Sequence, residues 1–329
     1  MTHVSEDDLI ARYFAPLAAP GGLRLMDDAA VLRVKQGHDL VLTKDALVAG
    51  VHFFPDDPAD AIARKALRVN LSDLAAKGAD ALGFLLAIAL PPDWTVAWLG
   101  EFARGLGQDA QAYGLPLLGG DTVKTPGPLM VCVTALGQVP QGGMVPRTGV
   151  APGDILYATG TIGDAALGLR LRLNGAGDAA WAARLPSASR DFLLDRYLLP
   201  QPRNALAKVL RAHAHAAMDV SDGFVGDIAK MLRASATGGA IELARVPFSR
   251  AVAEAVVLAP DLAAVALTGG DDYEIICAVP PDRAASFEAE TARLGIKLAR
   301  IGQAGGPDVR FLSADGSTTS FAVGSFSHF

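Results

Sequence analysis

Cysteine is nearly absent: the chain holds two, Cys132 and Cys277, each inside an apolar run, MVCVTAL and IICAV. That excludes a disulfide framework or a thiolate zinc site and predicts buried thiols in a reducing, cytoplasmic setting. Long hydrophobic runs are missing too. The longest strongly apolar one, Leu82 to Leu90, is far too short to span a bilayer, and the acidic start, Glu6, Asp7 and Asp8, lacks the basic-then-apolar order of a secretory signal. There is no long Lys/Arg run and the formal net charge is −6, which argues against nucleic acid as the principal partner. Neither a lysine-ending phosphate loop nor a G-x-G-x-x-G fingerprint occurs, and no repeat or low-complexity segment stands out.

What is present suits a compact α/β protein. The hydrophobic fraction is 51%, with 35 glycines, and 329 residues are more than one small core accommodates. A composition shift between Val139 and Gly153 (PQGGMVPRTGVAPG) predicts a boundary between domains 1–140 and 141–329. Arg147 is its only charge, either solvated or able to reach a phosphate. In the first domain the chain is organised around residues 40–80. Leu40-Val41-Leu42 predicts a short buried strand that delivers Thr43, Lys44 and Asp45 at its end. Asp60 to Lys77 predicts a helix with Ile62, Ala66 and Val69 on one inward stripe, and the stripe continues to Asp73. A second stripe, Leu67, Leu71 and Leu74, leaves that carboxylate little access to water. It therefore needs a cation or local donors.

Other carboxylates recur beside apolar element ends. Residues 5–18 predict an amphipathic helix, followed by Asp27-Asp28 before an apolar run. Strands at 83–90, 115–118 and 129–137 and a helix at 94–113 follow, with Gly119-Gly120-Asp121 just past the second strand as a turn or a close approach to ligand. Strand 155–159 runs into Gly160–Asp164, a glycine loop that opens a helix and presents N–H groups to anions. His213 and His215 read as a surface pair lacking a third ligand. Strand 216–220 carries Asp219, and Ser221 or Asp222 caps the next helix. Strand 275–279 follows Thr268–Glu274. Oxygen-only ligands of this kind, Asp28, Asp45, Asp73, Asp121, Asp219 and Asp222, suit Mg²⁺, and carboxylate-held Mg²⁺ is one way to hold ATP phosphates. The chemistry indicated is Mg²⁺-dependent phosphoryl transfer.

In order, MDDAAVL, TKDALVAGVHF, KALRVNLSDLAAKGAD, GGDT, PRTGVAPGD, TGTIGDAALGL, MDVSDG and TGGDDYE resemble the thiamine-monophosphate kinase family, of the superfamily that includes aminoimidazole ribonucleotide synthetase. The resemblance implies a two-domain α/β (α+β) fold whose N-terminal domain pairs across a homodimer and whose C-terminal domain completes the cleft. It implies transfer of the ATP γ-phosphoryl group to thiamine monophosphate, with Mg²⁺ on Asp28, Thr43, Asp45, Asp73, Asp121, Asp219 and Asp222. Gly120, Asp121, Arg147 and Ser221 would form the nucleotide site, and His52, Asp271 and Phe326 the acceptor site. Catalysis would rest on positioning and on charge neutralisation at Asp45, Asp73, Asp121 and Arg147, with the acceptor phosphate itself as nucleophile. That agrees with the lack of a Ser-His or Cys-His nucleophile. The chain departs from the family pattern at Met26, Lys44 and Asp271; Lys44 would either face solvent or pair with Asp45. Alternatives are another ATP-dependent synthetase of the superfamily or a Mg²⁺–nucleotide sensor without turnover. Selenophosphate synthetase needs an N-terminal reactive Cys, and the hydrogenase-maturation dehydratase a C-terminal one.

Overall fold

The computed structural model describes residues 5–322 and 324–326, except the side chain of Glu6. Residues 1–4, 323 and 327–329, the last three reading Ser-His-Phe with no cysteine, lie outside the described residues. Two prolines shape the start of the chain. Instead of one helix over 5–18, a single turn α1 (Glu6–Leu9) passes into a π-helical turn, Ile10–Phe14, and then 3₁₀ turns at Ala15–Leu17 and Pro20–Leu25. Pro16 and Pro20 lack the N–H that a continuing helix requires. The second 3₁₀ segment ends on three left-handed non-glycines, Leu23, Arg24 and Leu25, immediately before Met26-Asp27-Asp28.

The chain forms two units: residues 1–74 with 79–144, and residues 75–78 with 145–329. In unit 1 a four-stranded sheet, order β1-β4-β2-β3, is built from β1 (His38–Val48), β2 (Asp80–Leu90), β3 (Leu117–Lys124) and β4 (Met130–Pro140). Its helices are α2 (Ala59–Ala76) and α3 (Val96–Tyr113). Two strand expectations are corrected. β1 does not stop before Thr43 but pairs with β4 from His38 to Val48. Likewise β3 does not end at Leu118 but runs through Gly119-Gly120-Asp121-Thr122. The reason in β1 is period two: Val41 and Leu47 are buried on one face, and Thr43 and Asp45 fill the two positions between them.

Both predicted stripes of α2 are buried, Ile62, Ala66 and Val69 on one and Leu67, Leu71 and Leu74 on the other. Each fully buried leucine contributes about 2 kcal/mol. Polar residues are enclosed as well. Arg68 donates from Nε to Asp109 Oδ2 at 2.5 Å and from a terminal nitrogen to Oδ1 at 3.0 Å, with Arg64 Nε 3.1 Å from the same carboxylate. This buried ion pair ties α2 to α3 and fixes the helix that carries Asp73. On α3, Thr95 caps the start by accepting from Trp98 N–H, and Gly114 ends it with φ 63°.

Unit 2 is a seven-stranded mixed sheet, order β11-β10-β7-β9-β5-β8-β6. In chain order its elements are β5 (Ile155–Thr159), α4 (Asp164–Leu173), α5 (Ala179–Arg184), α6 (Ser187–Leu198), α7 (Ala207–His213), β6 (Ala216–Asp219) and α8 (Phe224–Ala234). Then come β7 (Gly239–Glu242), α9 (Arg250–Leu258), α10 (Leu262–Thr268), β8 (Ile275–Val279), α11 (Ala284–Arg293), β9 (Leu298–Ala304), β10 (Val309–Leu312) and β11 (Thr318–Thr319). One core sets Phe224, Ile228, Met231 and Leu232 of α8 against Met218, Ile276 and Ile301. A second sets Leu210 and Phe287 against Tyr157 and Cys277. Cover on both faces explains why β5 and β8 read as unbroken apolar runs. The histidines are not a surface pair: His213 Nε2 lies 3.2 Å from Glu290, and His215 Nδ1 lies 3.0 Å from Asp154.

Candidate active site

Candidate residues occur at three places. The first is the α2 side of the unit 1 sheet. Register places Asp45 level with Val133, Leu86 and Gly120, among inward-facing side chains. Thr43, two residues back on the same face, donates its hydroxyl to Asp73 Oδ2 of α2. Burial, and then the like charge of Asp73, push the Asp45 carboxyl up to about 6. One hydroxyl and two carboxylates crowded in this way fit a hard divalent cation, which relieves the repulsion and takes oxygen ligands. Among the described residues, no three His, Cys, Asp or Glu side chains gather into a metal cluster unaided. Nearby, His52 Nδ1 accepts the Val48 N–H at 3.1 Å, a bond that assigns the imidazole proton to Nε2.

The second place is the opposite face of the same sheet, where a cavity of about 660 Å³ is lined by Asp28, Lys44, Gly120, Asp121 and Cys132. Strand alternation sends Lys44 to this face and Asp45 to the other, so the pairing of those two neighbours is not formed. Gly120 has a packing reason for being glycine: a Cβ there would stand 1.9 Å from the Leu86 carbonyl oxygen.

The third place is the end of β6 in unit 2. Asp219 closes the strand and is buried, and Ser221-Asp222-Gly223 leads into α8. Neither Ser221 nor Asp222 caps the helix; Gly223 stands at that position with φ 131°, where a Cβ would strike the Thr268 carbonyl at 2.4 Å. The loop is held instead by Asp227, whose Oδ2 accepts the N–H groups of Ser221, Asp222 and Gly223 at 3.1, 2.9 and 3.1 Å. Lys230 Nζ reaches Asp222 Oδ2 at 2.5 Å and Asp227 Oδ1 at 3.0 Å. Burial raises the Asp227 carboxyl pKa, against the pull of Lys230. Backbone bonds bring the other predicted residues here: Asp271 N–H donates to the Ser221 carbonyl, and Phe326 N–H to that of Asp222, both at 2.9 Å. Asp271 and Tyr273 are left-handed, φ 70° and 51°, and the Tyr273 hydroxyl donates to Asp271 Oδ1 at 3.2 Å. The Phe326 ring is exposed. Arg147 is exposed and joins none of these groups through a hydrogen bond or ion pair among the described residues. Asp227 and Lys230 were missed in the sequence; the available signal was an acidic residue in the first turn of a helix on the inward stripe of Phe224 and Ile228.

Residues 26–139 match the family model of the AIR synthase related protein N-terminal domain, and residues 151–312 that of the C-terminal domain. A thiamine-monophosphate kinase of Caulobacter vibrioides is 44% identical over 304 residues, covering 91% of this chain and 84% of that protein. The chain belongs to the thiamine-monophosphate kinase family. The crystal structure of the Stenotrophomonas maltophilia K279a family member superposes with a TM-score of 0.80 at 37% identity, covering 90% of this chain and 91% of the other. A solved chain described as AaThiL complexed with AMPPCP and TMP aligns with a TM-score of 0.77 at 26% identity, over 100% of this chain and 98% of its own. Hydrogenase maturation protein HypE, at 20% identity and a TM-score of 0.73, shares the fold.

Proposed function

We propose that the protein is a thiamine-monophosphate kinase that transfers the γ-phosphoryl group of ATP directly to thiamine monophosphate, giving thiamine diphosphate and ADP. Family membership across 91% of the chain supports the reaction. The observation carrying the metal assignment is the Thr43–Asp45–Asp73 oxygen set, whose mutual repulsion a cation relieves. In this reading Asp28, Thr43, Asp45, Asp73, Asp121, Asp219 and Asp222 hold Mg²⁺, which when bound neutralises the triphosphate and its leaving group. Gly120, Asp121, Ser221 and Arg147 position the nucleotide. His52 orients the acceptor together with Asp271 and the exposed Phe326 ring. An acceptor phosphate oxygen forms the new bond to the γ-phosphorus while the bond to the β–γ bridging oxygen breaks, and ADP leaves with the electron pair. The nucleophile is already ionised, so no side chain has to take a proton from it.

The reading extends to a homodimer formed through the outer face of the unit 1 sheet, where Leu40, Leu42, Leu85 and Val123 are exposed. It also extends to a cytoplasmic setting, favoured by the two buried free thiols. The test is stoichiometric formation of ADP and thiamine diphosphate from ATP with Mg²⁺ and thiamine monophosphate, beside unphosphorylated thiamine. Turnover confined to the monophosphate is expected. Equal turnover on thiamine, or nucleotide binding with no turnover, would overturn the proposal.

A further inference from the structure

Unit 2 contains a second cavity, of about 280 Å³, that the phosphoryl transfer leaves without a role. It lies between the Gly160–Asp164 loop, α6 and the segment that enters β8. Its acidic floor is satisfied from within. Glu274 accepts the Thr159 hydroxyl at 2.7 Å and Arg203 Nε at 2.6 Å. Asp272 Oδ2 accepts the Gly163 N–H at 2.8 Å, and Asp164 accepts hydroxyls of Thr161 and Ser249, each at 2.5 Å. Burial raises the pKa of both aspartates, that of Asp272 strongly.

The wall left over is cationic. Arg196 holds its guanidinium 4.9 Å above the Phe192 ring, and its Nη1 is buried with no hydrogen-bond partner among the described residues. The Asp195 carboxylate is 3.4 Å from that nitrogen, an ion-pair distance without hydrogen-bond geometry. Lys297, also on the wall, has an exposed ammonium with no side-chain partner among the described residues. A buried donor without an acceptor is unfavourable, and a guanidinium fork matches the paired oxygens of a phosphate or carboxylate. We propose that this cavity is a binding site for a small oxyanion, phosphate or carboxylate, held by Arg196 and Lys297 against the Phe192 ring. The volume is just below the range of about 300–1,000 Å³ that drug-sized ligands occupy, so the ligand is small. Asp272 and Glu274 of the floor alternate along the chain with Asp271 and Tyr273, so this cavity and the proposed acceptor contact share one segment.

The test is calorimetric titration of the full-length protein with inorganic phosphate, and separately with acetate, in EDTA at constant ionic strength. EDTA leaves the carboxylates of the kinase site without metal, so they repel both anions, and the result does not depend on the kinase reading. Saturable binding to one site is expected. Arg196→Met and Lys297→Met should each weaken it at least tenfold, with melting curves confirming that the variants are folded. Lys297 is exposed, so its variant keeps the test decisive if Arg196→Met fails to fold. Tighter binding of phosphate assigns the site to phosphate esters, and equal or tighter binding of acetate to carboxylates. No saturable binding, or binding unchanged in the folded variants, overturns the proposal.

Discussion

A carboxylate enclosed beside another carboxylate destabilises the fold that encloses it, and Asp45 and Asp73 meet that description. Asp45 is pushed up from 3.8 to about 6, by burial first and by Asp73 second. The folded, metal-free protein therefore keeps a proton that the unfolded chain releases, and its stability falls as pH rises through that interval. Asp73→Asn removes the like charge while keeping the shape. Melting curves in EDTA at about pH 5 and about pH 7.5 should show a smaller fall than wild type and no loss of stability at the higher pH. Turnover at saturating Mg²⁺ should drop by orders of magnitude. A variant destabilised in EDTA with near-normal turnover would make Asp73 a structural residue. Asp73 was legible in the sequence because helical periodicity places a charge on an apolar stripe. The orientation of Lys44 was not, since it depends on the strand continuing past Leu42, and only pairing with β4 specifies that. Gly120 had two physical explanations in the sequence, a turn or a close approach to ligand; β3 running through it removes the turn, and the Leu86 carbonyl adds a packing reason the sequence did not suggest.

Elements differ in how fully local sequence describes them. The bounds of α2 and α3 follow from stripes, Thr95 and Gly114, and stand within two residues of the pattern. The turn into α8 does not, because its donors are satisfied by a side chain from inside the helix and not by a capping residue before it. That turn supplies a prediction about metal. Lys230 already occupies one oxygen of Asp222 with a cation, and if Asp222 holds Mg²⁺ the ammonium must give way. A half-exposed pair of this kind contributes about 0.2–1 kcal/mol, which corresponds to an effect of roughly 1.4- to fivefold on a binding constant. Lys230→Met should lower the Mg²⁺ concentration at the midpoint of the metal-dependent rise in melting temperature by that factor. An unchanged or higher midpoint would reject the competition.

At the scale of the whole molecule, one sequence feature anticipates more cover than a single chain supplies. Leu40-Val41-Leu42 is apolar at both parities, whereas a strand with one face in water needs apolar residues at only one. Val41 is buried on the inner face, and Leu40 and Leu42 stand exposed on the outer, Leu42 at 60%. If a second copy covers that face, Leu42→Asp should shift the protein from dimer to monomer in light scattering at micromolar concentration, with an unchanged far-ultraviolet spectrum. A monomeric wild type, or a dimeric variant, would place the interface elsewhere. The two-unit α/β architecture was legible from composition and chain length. The strand order was not, because non-local pairing leaves no local trace.

The scarcity of cysteine gives the outer face a chemical label of its own. Cys277 lies fully enclosed between unit 2 strands and helices, and burial holds its thiol far above the usual range, so it stays silent towards alkylating reagents until the protein unfolds. Cys132 lines the outer cavity beside Lys44 and Asp121. Both thiols are buried, but Cys132 keeps 8% of its surface exposed against none for Cys277, so the rate of maleimide addition to the native protein reports on how often that face is uncovered. No residue need be introduced to make the measurement.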